Sequence, residues 1–439
     1  MNFDESLRYL LSLGHETLAI KFGLTATRLL LGALDSPHKA FTGVQIAGTN
    51  GKGSTAAMLD AITRRAGINT GLYTSPHLIN ITERIRIGGA EISREDFARH
   101  TTTVRTASES LQRTGALPAL PTFFEQITAI ALVAFRAAGV QLAILETGLG
   151  GRLDSTTAAD ALIAAITPIA LDHQEYLGET IAEIASEKAA VIRRGITSTA
   201  IISAQTHQEA RHVILRRALD CGVTVRDADE CNAHVLDADA EGRLRVSFVT
   251  SKDVYEDVRL ALRGRHQAVN ASVAIRLAEA LREHGFRISR KHIEAGLENA
   301  DYAGRLELRQ GSPAILFDGA HNAAGARTLR EYLDEFIKAP ITLVFGAMRD
   351  KDLREVSSIL FPTAQRVILT QIANPRAATP EMLLEAVPRG FDSSKLTSVR
   401  SVSEAWSEAQ KITPPDGIVC VSGSLYLVGE MQRILSDGE

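Results

Sequence analysis

Short apolar runs alternate with longer stretches of helical periodicity along most of the chain. The runs at residues 44–47, 141–145 and 161–166 have the length of a buried strand, and each leads into a polar or glycine-rich turn. Between such runs, apolar residues recur every three or four positions, as at residues 56–65 and 271–281. Apolar strands that alternate with amphipathic helices are typical of a parallel sheet with helices on both faces. The pattern therefore predicts an α/β protein.

The order of these elements also predicts where the chain divides. Leucine-rich segments predict helices within residues 1–40, and a polar stretch at residues 227–257 has a β-rich pattern. Regular strand–helix alternation resumes after residue 314. Because 439 residues exceed one ordinary core, we expect two domains, residues 1–299 and 300–439. The second is a small Rossmann-like α/β domain, and it lacks the Gly-x-Gly-x-x-Gly sequence of dinucleotide-binding proteins.

Composition and charge narrow the class of protein. With 45% hydrophobic and 23% charged residues, the chain has the composition of a soluble globular protein. Its net charge of −4 provides no general basic field, so we expect no nucleic-acid partner. Three scattered cysteines fit a reducing compartment. Asp4, Glu5 and Arg8 interrupt the N-terminal leucines, and polar residues interrupt the apolar region 127–145. We therefore expect a cytoplasmic protein without a signal peptide or a membrane span.

The strongest chemical signal is the glycine-rich sequence Gly48-Thr49-Asn50-Gly51-Lys52-Gly53-Ser54, which follows an apolar run and precedes a helical pattern. Unpaired backbone N–H groups at such a turn and the dipole of the following helix attract anions, and Lys52 adds a positive charge for phosphate. The match to the general phosphate-binding loop is imperfect, since Ile46 stands where that pattern has glycine and Gly53 where it has a hydroxyl residue. On spacing alone, an ordinary glycine-rich strand–helix turn stays open as an alternative.

Several other residues stand where chemistry is often found in α/β proteins, but each has a structural alternative. Glu146 ends an apolar strand beside a glycine-rich loop, where open sheets bind ligands, although a solvated acid would also fit there. His173 is a candidate ligand or base, and a lone histidine is more often structural. Phe123 and Phe124 are adjacent, as is usual for core residues, but they open a helix, where one of them could instead face a flat ligand. Lys188 lies among glutamates on a helix and is by pattern a surface residue.

Further short motifs continue this series through both predicted domains. They are Ser75-Pro76-His77-Leu78, Thr122-Phe123-Phe124-Glu125, Glu146-Thr147-Gly148-Leu149-Gly150-Gly151-Arg152-Leu153-Asp154, Leu171-Asp172-His173, Glu187-Lys188-Ala189, His266-Gln267-x-x-Asn270, Gly304-Arg305-Leu306-Glu307, Asp318-Gly319-Ala320-His321-Asn322, Asp350-Lys351-Asp352 and Ser422-Gly423-Ser424. As an ordered set over nearly the whole chain, the motifs resemble the folylpolyglutamate synthase/dihydrofolate synthase family of the Mur ligase superfamily. The resemblance implies a P-loop-containing, Mur-ligase-like ATPase domain followed by the smaller Rossmann-like α/β domain.

The resemblance also implies a reaction. Members of this family use ATP and Mg²⁺ to add L-glutamate to dihydropteroate or to a reduced folate, forming an amide bond through an acyl phosphate. ATP is required because a carboxylate is a poor electrophile, and Mg²⁺ and cationic side chains offset the repulsion between triphosphate and carboxylate. These small molecules would be the partners of a monomeric enzyme. The motifs leave open whether this chain makes dihydrofolate, extends the glutamate tail or does both.

Residue by residue, the resemblance assigns this chemistry to positions in the chain. The ATP-binding residues would be Thr49, Asn50, Gly51, Lys52, Gly53, Ser54, Asn270, Arg305 and Asp318. The Mg²⁺ ligands would be Ser75, Glu146 and His173, and the pterin-binding region would contain Gly23, Leu24, Thr122, Phe123, Phe124 and Asp154. The catalytic residues would be Lys52, Lys188 and His321. Lys188 matches a lysine that family members carbamylate, which turns the surface interpretation of this residue into a site interpretation.

The chain departs from the family pattern only at uncharged positions. Thr147 replaces the usual valine, Ser155-Thr156-Thr157 replace Ala-Thr-Asn, Ala190 replaces glycine and Ala323 replaces proline. None of these changes removes a charged or ligating group. They leave the reaction class intact and bear on substrate preference.

Two other functions fit parts of the sequence. A ligase that joins amino acids to a peptidoglycan precursor belongs to the same superfamily, but such enzymes generally carry an extra N-terminal domain before the glycine-rich loop. A nucleotide-binding regulator without ligase activity would be expected to lose metal or lysine positions, whereas Lys52, Glu146, His173 and Lys188 are all present. The folate ligase is therefore the favoured hypothesis.

Overall fold

The N-terminal segment forms helices, as its leucine pattern predicts. The structure, a computed structural model, describes residues 1–14 and 23–437. Helix α1 (Phe3–Ser12) begins with a capping box, because the Asn2 side chain accepts from the Glu5 N–H group and the Glu5 carboxylate accepts from the Asn2 N–H group. Helix α2 (Thr25–Ala33) follows. The part of the helix prediction that falls on residues 15–22 lies outside the described residues.

An eight-stranded sheet forms the centre of the first predicted domain. Its strands are β1 (Thr42–Ala47), β2 (Thr70–Tyr73), β3 (Ile85–Ile87), β4 (Ala90–Glu91), β5 (Leu142–Glu146), β6 (Ile163–Ile166), β7 (Thr199–Ile202) and β8 (Thr224–Asp227). The spatial order is β4-β3-β2-β5-β1-β6-β7-β8, and only β3 and β4 run antiparallel to their neighbours. Strand β1 pairs with β5 on one side and β6 on the other, so that Ile46 is opposite Glu146. The glycine-rich loop after β1 therefore leaves the sheet at its centre.

Helices cover both faces of this sheet. They are α3 (Lys52–Arg65), α4 (Arg94–Arg113), α5 (Phe123–Ala137), α6 (Gln174–Leu177), α7 (Ile181–Ala189), α8 (Gln208–Cys221), α9 (His266–Glu283) and α10 (Arg290–Leu297). Helix α3 is buried from residue 53 to residue 63 because α9, α10 and the sheet surround it. The helix therefore has no solvent-exposed face over this stretch and is only weakly amphipathic, as expected of a helix that is covered on all sides.

A small antiparallel sheet interrupts the α/β alternation, as the polar stretch predicts. Its strands β9 (Asn232–Ala238), β10 (Arg243–Val249) and β11 (Val254–Arg263) pair in the order β11-β10-β9. The buried residues of β10 and β11 alternate with exposed ones, and the buried set packs against α9 and α10. One face of this sheet thus extends the core and the other faces solvent.

A second, six-stranded sheet forms the C-terminal part of the described chain. Its strands are β12 (Glu307–Arg309), β13 (Ala314–Phe317), β14 (Ile341–Phe345), β15 (Arg366–Leu369), β16 (Leu396–Ser398) and β17 (Ile418–Ser422), in the order β12-β13-β17-β14-β15-β16 with only β12 antiparallel. Its helices are α11 (Ala323–Phe336), α12 (Leu353–Leu360), α13 (Pro380–Glu385), α14 (Val402–Ile412) and α15 (Leu425–Asp437). This is the predicted strand–helix alternation.

Within the described residues, no strand of one large sheet pairs with a strand of the other. We therefore propose residues 1–299 and 300–439 as the two domains, with the boundary between α10 and β12. The helices in the described ranges, 1–14 and 23–437, include none that is long and apolar enough to cross a membrane.

Candidate active site

The carboxyl ends of the parallel strands in both sheets meet at one large cavity. Residues that follow β2, β5 and β6 line it from the first domain, and residues that follow β13, β14, β15 and β17 line it from the second. Open α/β sheets bind ligands at this edge of the sheet. Six of the residues predicted from sequence lie on the cavity wall: Ser75, Thr122, Phe124, Asp154, His173 and His321. The fold thus brings together residues that are far apart in the chain.

The glycine-rich loop has room only for glycine at two positions. Gly48 and Gly51 have φ angles of 146° and 87°, in the region that side chains disfavour. A Cβ atom on Gly48 would lie 1.9 Å from Thr167 Oγ1, and one on Gly51 would lie 2.3 Å from Asn270 Oδ1. Helix α3 begins at Lys52, directly after this turn. The loop therefore presents backbone N–H groups and a helix N-terminus to the site, which is the arrangement that binds phosphate.

Two lysine side chains converge on one carbonyl group of this loop. Lys52 Nζ donates to the carbonyl oxygens of Gly48 at 3.0 Å and Thr49 at 3.1 Å, and Lys188 Nζ donates to the Gly48 oxygen at 2.9 Å. Burial lowers the pKa of both ammonium groups, and burial together with the charge of Lys52 lowers the pKa of Lys188 to about 7. Both amine groups therefore lie at the glycine-rich loop, and burial disfavours the charged form of each.

The surface interpretation of Lys188 is wrong. The side chain is buried, with a relative exposure of 4%. The neighbouring Glu187 pairs instead with Arg152, at 2.8 Å from Arg152 Nε to Glu187 Oε1. A neutral amine is the form that reacts with CO₂, and a pKa of about 7 makes that form available near neutral pH.

Glu146 is a buried carboxylate beside the loop that carries Ser75. Its Oε2 atom accepts a hydrogen bond from the Ser75 N–H group at 3.2 Å, and 4% of the residue is exposed. Burial raises the pKa of Glu146, whereas the charge of Lys52 and the Ser75 N–H group lower it, and the net effect is a raised pKa. A cation bound at this carboxylate would favour its ionised form.

The predicted metal ligands Ser75, Glu146 and His173 are only partly suited to a hard divalent cation. Ser75 and Glu146 are adjacent and supply a hydroxyl and a carboxylate oxygen. Mg²⁺ is commonly held by one or two carboxylates together with substrate phosphates and water, so two protein oxygen donors suit it. His173, the third predicted ligand, has its Nε2 atom 3.3 Å from Lys351 Nζ. No group of three His, Cys, Asp and Glu side chains among residues 1–14 and 23–437 is arranged to hold a metal ion.

Asp172 connects the two domains across the cavity. Its Oδ1 atom accepts from Lys351 Nζ at 2.6 Å, its Oδ2 atom accepts from Asn322 Nδ2 at 3.0 Å, and His321 Nε2 lies 3.5 Å from Oδ2. Burial raises the pKa of Asp172, but the hydrogen bond from His321 and the charge of Lys351 outweigh it. The pKa is therefore held well below its usual range, and Asp172 is the ionised acceptor of three second-domain groups.

The neighbouring His173 is neutral. Burial is the largest effect on its imidazole and lowers the pKa to about 3, in spite of the adjacent Asp172. The residue stands just before α6 with a φ angle of 51°, a left-handed conformation that places the ring in the cavity wall. A neutral imidazole has one nitrogen that accepts hydrogen bonds or binds a metal.

Two further predicted residues hold the glycine-rich loop and the domain crossing in place. Asn270, near the start of α9, donates from Nδ2 to Gln267 Oε1 at 2.9 Å and touches Gly51. Asp318 accepts from the N–H groups of Leu306 at 3.0 Å and Ala320 at 2.9 Å. Asp318 thereby fixes the segment that contains Arg305. Burial raises the pKa of Asp318, and the charge of Arg305 partly offsets this rise.

One wall of the cavity is built around Phe124 and Asp154. The Phe124 ring lies against Gly148, where a Cβ atom would be 2.4 Å from Phe124 Cζ. Asp154 Oδ2 accepts from the N–H groups of Gly148 at 3.0 Å and Leu149 at 2.9 Å, so the carboxylate shapes the loop that faces Phe124. Thr122 caps α5 by accepting from the Glu125 N–H group. An aromatic face beside buried polar groups suits a flat heterocycle.

Three residues of the predicted pterin region do not line this cavity. Phe123 is buried in the core, with the Arg84 guanidinium carbon 5.5 Å from its ring centroid. Leu24 lines a neighbouring depression, which shares Arg152 with the main cavity. Gly23 lines neither, and no neighbouring atom lies within 4 Å of the place where its Cβ atom would be. Of the two adjacent phenylalanines, only Phe124 thus faces the site.

Two of the departures from the family pattern belong to one buried network. Gln45 Nε2 lies 3.3 Å from the Thr147 hydroxyl, 2.9 Å from that of Thr156 and 2.8 Å from that of Thr157. The hydroxyls of Thr147 and Thr157 therefore accept hydrogen bonds from the buried side-chain amide of Gln45. Valine, the usual residue at position 147, has no side-chain acceptor. Ala323 occupies the first position of α11, where proline is favourable but not required.

Several residues of the site were not assigned from sequence. Asp172, Lys351 and Asn322 all stand inside motifs noted above, but nothing in the motifs shows that they meet. Arg84 is 1% exposed and donates from Nε to His77 Nδ1 at 2.8 Å, which supports the loop after Ser75. The hydroxyl of Tyr302 lies against Gly53, where a Cβ atom would be 2.0 Å away. No sequence pattern points to Arg84 or Tyr302.

Comparison with protein families supports the resemblance. Residues 46–278 match the Mur ligase middle domain, and residues 304–425 match the Mur ligase glutamate ligase domain. The dihydrofolate synthase/folylpolyglutamate synthase of Bacillus subtilis is 34% identical over 434 residues, which cover 96% of this chain and 97% of that protein.

A Haloferax volcanii protein named probable bifunctional folylpolyglutamate synthase/dihydropteroate synthase is 37% identical over 442 residues, 98% of this chain and 50% of that protein. This chain spans about half the length of such haloarchaeal relatives.

Solved structures agree over nearly the whole chain. Mycobacterium tuberculosis folylpolyglutamate synthase complexed with ADP has a TM-score of 0.90 and 30% identity, with 99% of each chain covered. A bifunctional folylpolyglutamate synthase/dihydrofolate synthase with Mn, AMPPNP and L-glutamate bound has a TM-score of 0.83 and 28% identity, with 99% of this chain and 98% of that chain covered. The similarity therefore includes both domains and the cavity between them.

Proposed function

The chain belongs to the folylpolyglutamate synthase/dihydrofolate synthase family of Mur ligases, and from this premise we propose that it is an ATP-dependent ligase. It adds L-glutamate to dihydropteroate, to a reduced folate or to both. The observation that carries the proposal is the cavity itself. Ser75 on its wall donates to the buried Glu146, whose pKa burial raises and the nearby charge of Lys52 lowers, and Lys52 and Lys188 share the Gly48 carbonyl of the glycine-rich loop. Lys351 and Arg376 line the cavity from the second domain.

The reaction joins a carboxylate to an amine. The substrate carboxylate attacks the γ-phosphorus atom of ATP to form an acyl phosphate, and ADP leaves. The amine of L-glutamate then attacks the acyl carbon, an amide bond forms, and phosphate leaves with the bonding electron pair. Both steps require anions to approach each other, so positioning and charge compensation are the main tasks of the protein.

ATP would occupy the loop between β1 and α3. The loop N–H groups and Lys52 suit the phosphates, and Asn270, Arg305 and Asp318 are proposed to complete the nucleotide site from the domain junction. The ADP and AMPPNP complexes of the similar structures support this nucleotide class. The absence of side chains at Gly48 and Gly51 would let the backbone approach phosphate closely.

Ser75 and Glu146 are proposed to hold a divalent cation, with His173 as a third ligand. When bound, such an ion neutralises phosphate charge and orients the terminal phosphate. Lys188 is proposed to carry a carbamate, formed when its neutral amine adds CO₂ and releases a proton. The Mn-containing structure of a similar protein supports the use of a divalent metal.

The substrate groups fit the remaining walls. We propose that Thr122, Phe124 and Asp154 form part of the pterin site, because an aromatic face and buried polar groups lie together there. Lys351 and Arg376 line the same cavity from the second domain and provide cationic side chains for the anionic substrates. The two domains must therefore be together for the reactants to meet, and their contact excludes water from the acyl phosphate.

The test is phosphate release by the purified protein with ATP, Mg²⁺ and L-glutamate. One reaction contains dihydropteroate, a second contains tetrahydrofolate, and a third contains neither. Release with both pterins is expected from a bifunctional enzyme, and release with one identifies the substrate. ATP binding without pterin-dependent release would contradict the proposal and favour a nucleotide-binding regulator, whereas release with a peptidoglycan precursor would favour the other Mur ligase function.

A further inference from the structure

A second depression lies beside the active-site cavity, between the start of α2, the end of α7 and one side of α8. We call it the basic depression. Its lining contains five arginines and one histidine but a single acidic residue. These are Arg28, Arg152, Arg193, His212, Arg216 and Arg217, with Asp220. The whole chain has a net charge of −4, so this concentration of arginine is a local feature. A depression of this kind attracts anions and not neutral ligands.

Some of its arginines are fixed and others are free. Arg193 pairs with Asp160 and donates to the Thr157 carbonyl at 2.9 Å, and Arg217 Nε donates to the Ile192 carbonyl at 2.9 Å. Arg28 and Arg216 are exposed, and neither has an ion pair or a hydrogen bond from its guanidinium group within the described ranges. The depression therefore has a rigid base and two uncompensated charges at its rim.

The basic depression adjoins the active-site cavity at one residue. Arg152 lines both, and its Nε atom is held 2.8 Å from Glu187 Oε1, another residue of the cavity wall. A chain-like ligand that has one end in the cavity and leaves it beside Arg152 would meet the arginines of the depression. This adjacency points to a substrate of the same reaction.

We infer that the basic depression binds the inner residues of a γ-linked glutamate tail while the end of that tail occupies the active-site cavity. The inference rests on the proposed function. A γ-linked tail exposes one free α-carboxylate per residue, so it is a flexible polyanion with regularly spaced carboxylates. Arginine pairs with carboxylates through two parallel hydrogen bonds, and several arginines in a row match several carboxylates. The arrangement favours substrates that already carry several glutamates.

The experiment compares tetrahydrofolate substrates that carry one and five glutamates. The variant Arg28→Gln/Arg216→Gln removes the two rim charges, and Arg28→Lys/Arg216→Lys keeps them. Arg113→Gln/Arg389→Gln is the matched control, because it removes two exposed arginine charges that lie outside both depressions. The measured quantity is kcat/KM for the pentaglutamate divided by kcat/KM for the monoglutamate.

We expect this ratio to fall about tenfold or more in the glutamine variant, the scale of one lost charge-assisted hydrogen bond. The lysine variant should recover part of the ratio, and the control should keep it. An unchanged ratio in the glutamine variant, or an equal fall in the control, would overturn the inference. Activity with dihydropteroate alone would also overturn it, because that substrate carries no glutamate.

A binding measurement separates this inference from the proposed function. Free penta-γ-glutamate, without a pterin, is titrated into wild-type protein and into both glutamine variants by calorimetry at low and high salt. We expect binding that weakens with salt and with the rim substitutions, whether or not turnover is detected. If an oligonucleotide of equal charge binds and penta-γ-glutamate does not, the depression is a nucleic-acid surface and the inference fails.

Discussion

The two sheets present the same edge to the cavity but supply different kinds of residue. The eight-stranded sheet contributes a site that is largely complete within its own domain, with Lys52 and Lys188 on one carbonyl group and Glu146 on the Ser75 N–H group. The six-stranded sheet contributes side chains whose partners lie across the domain boundary. Lys351 is the main example, because its ammonium group is bonded to Asp172 of the first domain.

This difference separates the residues that are fixed within one domain from the residues that bond across the domain boundary. Residues fixed within one domain are in place before the reactants arrive, since their hydrogen bonds do not depend on the position of the other domain. Residues that bond across the boundary take their positions only when the domains are together. Substitutions in the first group should therefore remove nucleotide chemistry itself, and substitutions in the second should weaken the closed arrangement.

The largest effect is expected from Lys52→Met. This change removes the ammonium group that donates to Gly48 and Thr49, so the terminal phosphate loses its cation within the first domain. We expect kcat/KM to fall by about 10³-fold or more, the scale seen when a phosphate-stabilising cation is lost. Pterin-dependent phosphate release measures the change. Arg65→Gln, an exposed position at the end of the same helix, is the control, and retention of a tenth of the activity by Lys52→Met would contradict this role.

The second prediction concerns the contact across the boundary. Lys351 and Asp172 have side-chain exposures of 9% and 6%, so Lys351→Met leaves a buried carboxylate without its cation. We expect a loss of about 3–5 kcal/mol in the free energy of unfolding, together with a fall of about 10–100-fold in kcat/KM as closure weakens. The double variant Lys351→Met/Asp172→Asn should recover part of the stability. Urea unfolding measures the coupling.

A matched pair inside the second domain makes this comparison quantitative. Arg330 and Asp334 form an exposed ion pair at 3.3 Å on α11. Their coupling in the same double-variant cycle should be below about 0.5 kcal/mol, because water screens exposed pairs. Equal coupling energies for the two pairs would show that the contact across the domain boundary stabilises the protein no more than an exposed ion pair does.

The third prediction uses the pH dependence of Lys188. Burial lowers its folded-state pKa from 10.5 to about 7, so between pH 7 and 10.5 the unfolded chain binds more protons and folding stability rises with pH. Below pH 7 the cost of burying this lysine is fully present. Lys188→Met should therefore be more stable than wild type at pH 6, by a few kcal/mol at about 1.4 kcal/mol per pKa unit, and the advantage should shrink as the pH rises.

Thermal unfolding of both proteins from pH 6 to 9, in buffers freed of CO₂, measures this difference. A constant difference across the range would contradict the lowered pKa. With ¹³C-labelled bicarbonate present, the same pH rise should increase a carbamate signal in wild type that Lys188→Met lacks.

The smallest effect is expected from Asn322→Ser. Asn322 donates to Asp172 and to Asn50 Oδ1 across the boundary, and its own Oδ1 caps α11 by accepting from the Gly325 N–H group. Serine is an equally good cap but is too short to reach Asn50. We expect kcat/KM to fall about 2–10-fold, the scale of one net hydrogen bond, with the unfolding free energy nearly unchanged. A large loss of stability would mean that the cap and not the boundary contact was disturbed.

Much of the fold followed from the sequence because the signals are local. Apolar strand runs and helix periodicity depend on residues within a few positions of each other. The glycine-rich loop is equally local, since the space left at Gly48 and Gly51 admits no side chain. The ordered motifs were sufficient to identify the family, which the domain matches and the similar structures support.

Whether a given side chain faces the site depends on the tertiary structure. Phe123 and Phe124 are adjacent and alike in sequence, yet one packs under Arg84 and the other lies on the cavity wall, because successive helix positions point in different directions. Lys188 has the pattern of a surface residue, but α7 packs so that the side chain reaches the carbonyl of Gly48. Charged residues that pair in the fold come from elements that are far apart in the chain. The periodicity of hydrophobic residues does not predict such pairs.

The fold class, the glycine-rich loop and the family could therefore be predicted before folding was considered. The pairing of Asp172 with Lys351, the support of the Ser75 loop by Arg84 and the basic depression beside the cavity are seen only in the folded chain. The range of the interactions explains this division. Backbone conformation is set by neighbouring residues, whereas desolvation and charge pairing depend on what the whole fold places around a group.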